Sequence, residues 1–357
     1  MVGDEIDGAP SHPLGALSAR TRAILIWSGV AVLLVLAFIA AAGAMQRTFY
    51  SASGFVSSYV GALSRHDLAA AMTMPGANPT AASLRAQGLP AAPSRELLRT
   101  DVIPRLQDVR VVSDDELGSG EHLVEVRATA NGHPVAARFS VRQTGSVLGF
   151  LPTWRFAQTP LAVAHVTVQH ADTFTIAGHT VEPRAITGEP AGAFTASADY
   201  LVFAPGVYEL GHTSRYLDAQ PAVFTADSPG RVVPVDVVAN PNAAFVAQVD
   251  KQLHTYLDGC AKQQVLQPAG CPFGVSIDDR VLGLPTWSIA AYPPVAIVAG
   301  ESSWTMPPSD GTAHLSVKVQ SLFDGTIEQR ESDEPFQMSI SAITIYDDGA
   351  LDITVAD

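Results

Sequence analysis

The chain has 357 residues, 47% of them hydrophobic, and a formal net charge of −14. That is enough apolar material for two or three cores of ordinary domain size. A field of this sign repels nucleic acid and other polyanions and attracts cations or basic partners; it also serves simple solubility.

Residues 1–22 contain Gly and Pro and lack an apolar period, which predicts a disordered tail. An uncharged, proline-free run, Ala23–Met45, follows, flanked by Arg20, Arg22 and Arg47. As a helix at 1.5 Å per residue it covers about 34 Å, enough for a hydrocarbon core of about 30 Å. The expectation is a transmembrane helix from Ala23 to Met45, seated in a lipid bilayer. Two arginines before it and one after it place the N-terminus in the cytoplasm and the bulk outside, in the manner of a signal anchor. The alternative is a signal peptide cleaved after Ala44, since Ala42-Gly43-Ala44 has the small-x-small form. The apolar run exceeds the 7–15 residues of such a segment, which favours anchoring.

Three extracytoplasmic segments are expected: 46–159, 160–239 and 240–357. Their net charges are +2, −5 and −10 (11 Arg against 9 acids; 3 against 8; 5 Lys and Arg against 15). The first begins with helical spacing over Thr48–Met72 (Phe49, Val56, Tyr59, Val60, Leu63, Leu68), interrupted at Arg65-His66-Asp67. After a Pro-rich loop, a second helix is predicted from Ser94-Arg95-Glu96 to Pro104, with Leu97, Leu98, Val102 and Ile103 as its apolar face. The period then changes to two. Val109–Val112, His122–Ala130, Val135–Gln143 and Trp154–Ala157 read as strands, with Asn131-Gly132 as a hairpin turn.

The second segment reads as a small all-β module, a sandwich or barrel. Its strands are Val163–His170, Thr173–Ile176, Ala193–Val202, Gly206–Leu210 and Arg231–Val238. In the third, Asn240-Pro241-Asn242 starts a helix whose face is Phe245, Val249, Leu253, Tyr256 and Leu257. Strands follow at Val281–Ala291, Val295–Ala299, Ala313–Leu322, Gln337–Tyr346 and Ala350–Val355. Val147-Leu148-Gly149-Phe150-Leu151-Pro152-Thr153-Trp154 echoes Val281-Leu282-Gly283-Leu284-Pro285-Thr286-Trp287. The fold class expected is therefore α+β: two helix-plus-antiparallel-sheet units flanking a β module.

Cys260 and Cys271 are the only cysteines, and outside the cytoplasm they are expected to pair as a structural disulfide. Redox chemistry needs tighter spacing, and zinc needs more ligands. His165, His170 and His179 are the nearest histidine group, but residues 165 and 170 point to opposite faces of a strand. Asp278-Asp279, Asp347-Asp348, Glu328, Glu331, Asp333 and Glu334 read as solvated turns, without the oxygen spacing of a calcium loop. Gly-x-Ser-x-Gly, Ser-x-x-Lys, His-Glu-x-x-His and Walker motifs are absent. No catalytic residue, metal ligand or cofactor is expected, and no enzyme.

Leu201-Val202-Phe203-Ala204-Pro205-Gly206-Val207-Tyr208 resembles the apolar-Pro-Gly-x-Tyr strand of the middle modules in TcaA-type bacterial cell-envelope proteins. Leu257-Asp258-Gly259-Cys260-Ala261 and Pro268-Ala269-Gly270-Cys271-Pro272-Phe273 resemble the Cys-bracketed helix end of actinobacterial members. The helix-then-sheet units are similar to NTF2-like domains. The zinc ribbon common at the N-terminus of such relatives has no counterpart, because residues 1–22 hold no cysteine. The resemblance implies a single-pass, non-enzymatic envelope protein that binds a protein or cell-wall component, with a role in envelope stress. The alternative is a small-molecule receptor or enzyme with an NTF2-like pocket, for which Trp154, Trp287, Tyr256 and Tyr292 are the candidate lining.

Overall fold

The computed structural model describes residues 19–147, 151–183 and 194–356; the side chains of 19, 21, 22 and 38–49 fall outside that description. The expected tail thus lies almost wholly outside the described residues. The protein is α+β with strands predominating. Helix α1 (Ala19–Phe49) carries the apolar run, and its side chains from Ile24 to Leu36 are exposed, with Trp27 at 73%. Among the described residues, no helix is long and apolar enough to cross a membrane. The expected span, Ala23–Met45, extends past the described side chains.

Ser51 caps α2 (Ala52–Ser64), its Oγ accepting from the Gly54 amide at 3.0 Å. The predicted break at Arg65-His66-Asp67 is real. His66 turns the chain at φ +57°, and Asp67 caps α3 (Leu68–Thr73) by accepting from the Ala70 amide at 2.9 Å. A one-turn helix, α4 (Ala81–Ala86), follows with a Thr80/Ser83 capping box.

The helix expected from Ser94 does not form. Ser94 instead bridges to Tyr200: its amide donates to the Asp199 carbonyl and its carbonyl accepts from the Leu201 amide. A strand bridge sets extended backbone where the helix would begin, and 95–104 runs on as turns. Leu97, Val102 and Ile103 are buried all the same, so the apolar period reported burial correctly and conformation wrongly.

Strands β1 (Leu106–Gly118), β2 (Glu121–Ala130), β3 (His133–Val147) and β4 (Leu151–Phe156) form an antiparallel meander in that order. Asn131 and Gly132 both take positive φ, as the two-residue hairpin between β2 and β3 requires. Alternate residues of β2 and β3 face α2, where Tyr59 meets Phe139 and Phe156 edge-on at 5.9 and 5.1 Å.

The second sheet contains β5 (Leu161–Gln169), β6 (Phe174–Ile176), β7 (His179–Val181), β8 (Thr195–Phe203), β9 (Gly206–Thr213), β10 (Leu217–Ala226) and β11 (Val232–Pro241). Their order is β7-β6-β9-β10-β11-β5-β8, with β11 and β5 parallel. β10 and β11 pair only through Leu217–Ala219, and there the sheet folds over. Phe174 of β6 and Tyr200 of β8, far apart in strand order, have ring centroids 5.4 Å apart. The result is a sandwich. β10 went unread in the sequence because its alternation slips at a bulge between Ala219 and Ala222, around Pro221.

The first half of β5 and the second half of β8 are buried on both faces. Leu161, Val163, Leu201 and Phe203 pack toward α2 and the meander, while Ala162, Ala164, Tyr200 and Val202 pack into the sandwich. This shared wall explains the unbroken apolar runs, which one-sided strands would not show.

Helix α5 (Ala243–Ala261) starts at Asn242, whose Oδ1 accepts from the Ala244 and Phe245 amides at 3.0 and 3.1 Å. Its buried face is Phe245, Val249, Leu253, Leu257 and Cys260. The third sheet is built on a long hairpin, β15 (Trp304–Gln320) and β16 (Ile327–Ile345). β12 (Arg280–Val281), β13 (Thr286–Ala291) and β14 (Val298–Ala299) pair with β15, and β17 (Leu351–Val355) pairs with β16. The hairpin extends beyond the expected strands because its added residues are largely polar. Within it, Gly311 lies opposite Phe336, and a Cβ there would sit 2.4 Å from the ring. Phe245 reaches both Tyr216 and Trp304, so the sandwich and the third sheet share one core. The expected boundary at 239/240 falls inside β11.

The two Trp-bearing echoes occupy different places. Trp154 lies in the last strand of its meander, whereas Trp287 lies in a strand beside the central β15. Residues 148–150 of the first echo lie outside the described residues. What the two indoles share is a role: one donates to the Tyr50 carbonyl and the other to the Val265 carbonyl, each at 2.8 Å.

Candidate functional site

Cys260 and Cys271 are joined in a disulfide. It ties the end of α5 to the loop that delivers Phe273, whose ring packs between Trp287 (5.1 Å) and Phe336 (5.4 Å). The bond thus holds a plug under the third sheet.

Of the expected pocket aromatics, Tyr256 lines the space between α5 and its sheet, whereas Trp154, Trp287 and Tyr292 do not. Trp154 belongs to the core around α2 and Trp287 to the core around α5. Tyr256 donates its hydroxyl to the Gly270 carbonyl, and Tyr292 donates to Asp258 while stacking on His254. That space is about 180 Å³, walled by Gln252, Leu253, Tyr256, Met338, Ile340, Ile353 and Val355. That is smaller than the roughly 300 Å³ at which ligand pockets begin.

The three histidines are also separate. His165 bonds to Asp199 (2.8 Å), His170 to the Ala239 carbonyl (3.2 Å), and His179 to Asp101. Among the described residues no group of three or more His, Cys, Asp or Glu is placed to hold a metal ion.

A cavity of about 450 Å³ with mixed polar and apolar walls opens instead at the seam between the sandwich and the third sheet. The chain just after β5, Phe194 before β8, the stretch from the end of β9 through the Ser214–Leu217 turn, the entry to β15 from Ser302 to Trp304, and the β16–β17 hairpin bring its walls together. His170, at φ +65°, lies against Phe194 and Trp304 at 4.7 and 5.3 Å. His212 is 5% exposed and shares the core-facing parity of Tyr208 and Leu210 on β9. Its Nδ1 lies 2.8 Å from the Thr173 carbonyl and must therefore donate. Nε2 of the neutral ring is then a buried acceptor without a partner among the described residues. Arg215 lies over the Tyr216 ring at 4.9 Å, and the Tyr216 hydroxyl donates to the Gly349 carbonyl. Parity with Tyr208 and Leu210 was the sequence signal for His212; Arg215, in a turn, had none.

The acidic residues call for a correction. Asp278-Asp279 and Asp347-Asp348 do sit outside strands, but Glu328, Glu331, Asp333 and Glu334 lie within β16, paired to β15. The turn reading failed because charged residues on an exposed strand erase its apolar alternation. On the outward face, His314 sits opposite Asp333, with Nδ1 2.6 Å from it and Nε2 3.0 Å from Glu331. Hydrogen bonds to Asp333 and then Glu331 raise the His314 pKa. Glu331 is held low, first by the Ser316 hydroxyl at 2.8 Å and then by His314.

No family model, no curated protein and no solved structure matches the chain.

Proposed function

We propose that this chain is a non-enzymatic, single-pass membrane protein of the cell envelope, anchored by residues 23–45 with its N-terminus cytoplasmic and its bulk outside. In this reading the packed sheets bind an envelope protein or a wall component, and the TcaA-type and NTF2-like resemblances belong to the same proposal. The observation that carries it is α1. Its side chains from Ile24 to Leu36 are apolar or small and exposed to solvent over several turns. Each buried Leu, Ile, Val or Phe near a bilayer centre is favourable by about 0.3–0.6 kcal/mol, whereas water leaves that surface unsatisfied. The disulfide supports the same side of the membrane. Extraction of membranes with alkaline carbonate tests it. The full chain is expected in the pellet and a chain lacking residues 1–47 in the supernatant; a full chain extracted into the supernatant overturns the reading.

A second reading, a small-molecule receptor, is favoured by one observation, the unpartnered His212 Nε2 beside the seam cavity. It moves the pocket away from the NTF2-like position between helix and sheet. A fragment screen by protein NMR tests it: ligands that shift His170 and His212 together support it, and an inert seam refutes it.

A further inference from the structure

β17 pairs with β16 only from Ile340 to Ile345, and the Ala356 amide donates to the Ser339 carbonyl. From 327 to 338, β16 has β15 as its sole strand neighbour among the described residues. The other edge of this stretch, roughly 40 Å of extended chain, presents main-chain donors and acceptors without a strand partner, interrupted at Pro335, which has no N–H to offer. We propose that this edge accepts an extended, lysine- or arginine-bearing segment of a partner protein as an added strand.

Charge decides the occupant. Residues 327–338 hold Glu328, Glu331, Asp333 and Glu334 against Arg330, a net of −3 (1 − 4), within a region of net −10. A second copy of this chain pairing edge to edge would set carboxylates against carboxylates, which destabilises cross-strand pairs. An anionic lipid surface is repelled for the same reason. A strand with basic residues at alternate positions fits the outward row of Glu331 and Asp333. Strand addition of this kind takes affinity from main-chain hydrogen bonds and specificity from alternate side chains. The row is fixed in place, since Ser316 and His314 hold Glu331, and His314 also holds Asp333. The hairpin tip adds apolar surface at one end: Phe323 is 99% exposed and Leu322 73%. These exposed side chains suit an apolar residue flanking the basic ones.

The inference rests on the binding-protein reading above and names its partner's chemistry. The test uses the purified full chain in neutral detergent, so its outcome is independent of where the chain resides in a cell. The probe is a dye-labelled peptide of about twelve residues alternating lysine and valine, matched to the edge at about 3.3 Å per residue. A glutamate–valine peptide is the control. The expected result is saturable binding of the lysine peptide alone, with slowed amide exchange confined to 327–338. The double variant Glu331→Lys/Asp333→Lys should weaken binding at least about tenfold, whereas Asp227→Lys on the sandwich should not. Ser332→Pro and Asp333→Pro, made separately, should differ, because only one of two neighbouring amides faces the open edge. Four results overturn the proposal: no binding, equal binding of the acidic peptide, protection elsewhere on the surface, or full affinity in the charge-reversed protein. Circular dichroism of each variant identifies any that fails to fold, and the charge-reversal pair, lying at exposed positions, carries the decision.

Discussion

Replacing both Cys260 and Cys271 with alanine isolates what the disulfide contributes. The bond closes a ring with a sequence separation of 11. Loop-closure entropy for a ring of that size gives about 2.8 kcal/mol at 25 °C. The structure adds a second consequence. The closed loop presents Phe273, 6% exposed, to Trp287 and Phe336. The double variant should therefore lose about 3 kcal/mol, with the loss felt first around Trp287. Urea unfolding of the full chain in detergent measures it, followed by tryptophan fluorescence and by amide exchange of α5, β13 and β15. The unmodified protein under reductant should match the variant. A loss under about 0.5 kcal/mol, or a loss centred on the meander around Trp154, refutes the reasoning, because the ring would then constrain nothing in the third sheet.

Tyr59 offers a contrary sign. Its hydroxyl is fully buried and has no partner among the described residues, and burial pushes its pKa far above the usual tyrosine range. Tyr59→Phe should leave stability unchanged or raise it by about 1 kcal/mol in the same urea experiment, since an unsatisfied buried hydroxyl is lost. Asn242→Ala removes the cap of α5 and should cost about 1 kcal/mol, read as faster exchange in the first turn of that helix. Gly311→Val sets a side chain into the Phe336 ring and should cost about 1–3 kcal/mol. His314 has a raised pKa in the folded state, so its contribution is fully present below about pH 6.5 and fades as pH rises through the folded value. Imidazole NMR should show His314 titrating at higher pH than in Asp333→Asn; the same midpoint in both proteins contradicts the geometry.

The elements legible in the sequence were those whose local signals agreed with their packing. α5 shows this well: Asn242 caps it, and a face repeating by threes and fours fills one core. The Asn131-Gly132 hairpin is another, because two positive φ values demand those residues. The failures have separate physical causes. At Ser94 a long-range bridge to Tyr200 overrode a helical period that nevertheless marked the buried side chains. At β10 a bulge around Pro221 shifted the alternation midway. Along β16, cross-strand bonding to β15 holds a strand whose side chains are charged, so neither propensity nor alternation announced it. The seam cavity was hidden for a different reason. Its walls come from five segments spread between His170 and Gly349, and only the shared core of the sandwich and third sheet brings them together.

Protease digestion of intact cells against lysed cells tests the anchored, outward-facing arrangement most directly. The account predicts that a tag after Asp357 is removed from intact cells, that a tag before Met1 survives until lysis, and that Cys260 and Cys271 resist maleimide until reduced. A C-terminal tag protected in intact cells, on a chain recovered in the soluble cytosolic fraction with both thiols reactive, would contradict it.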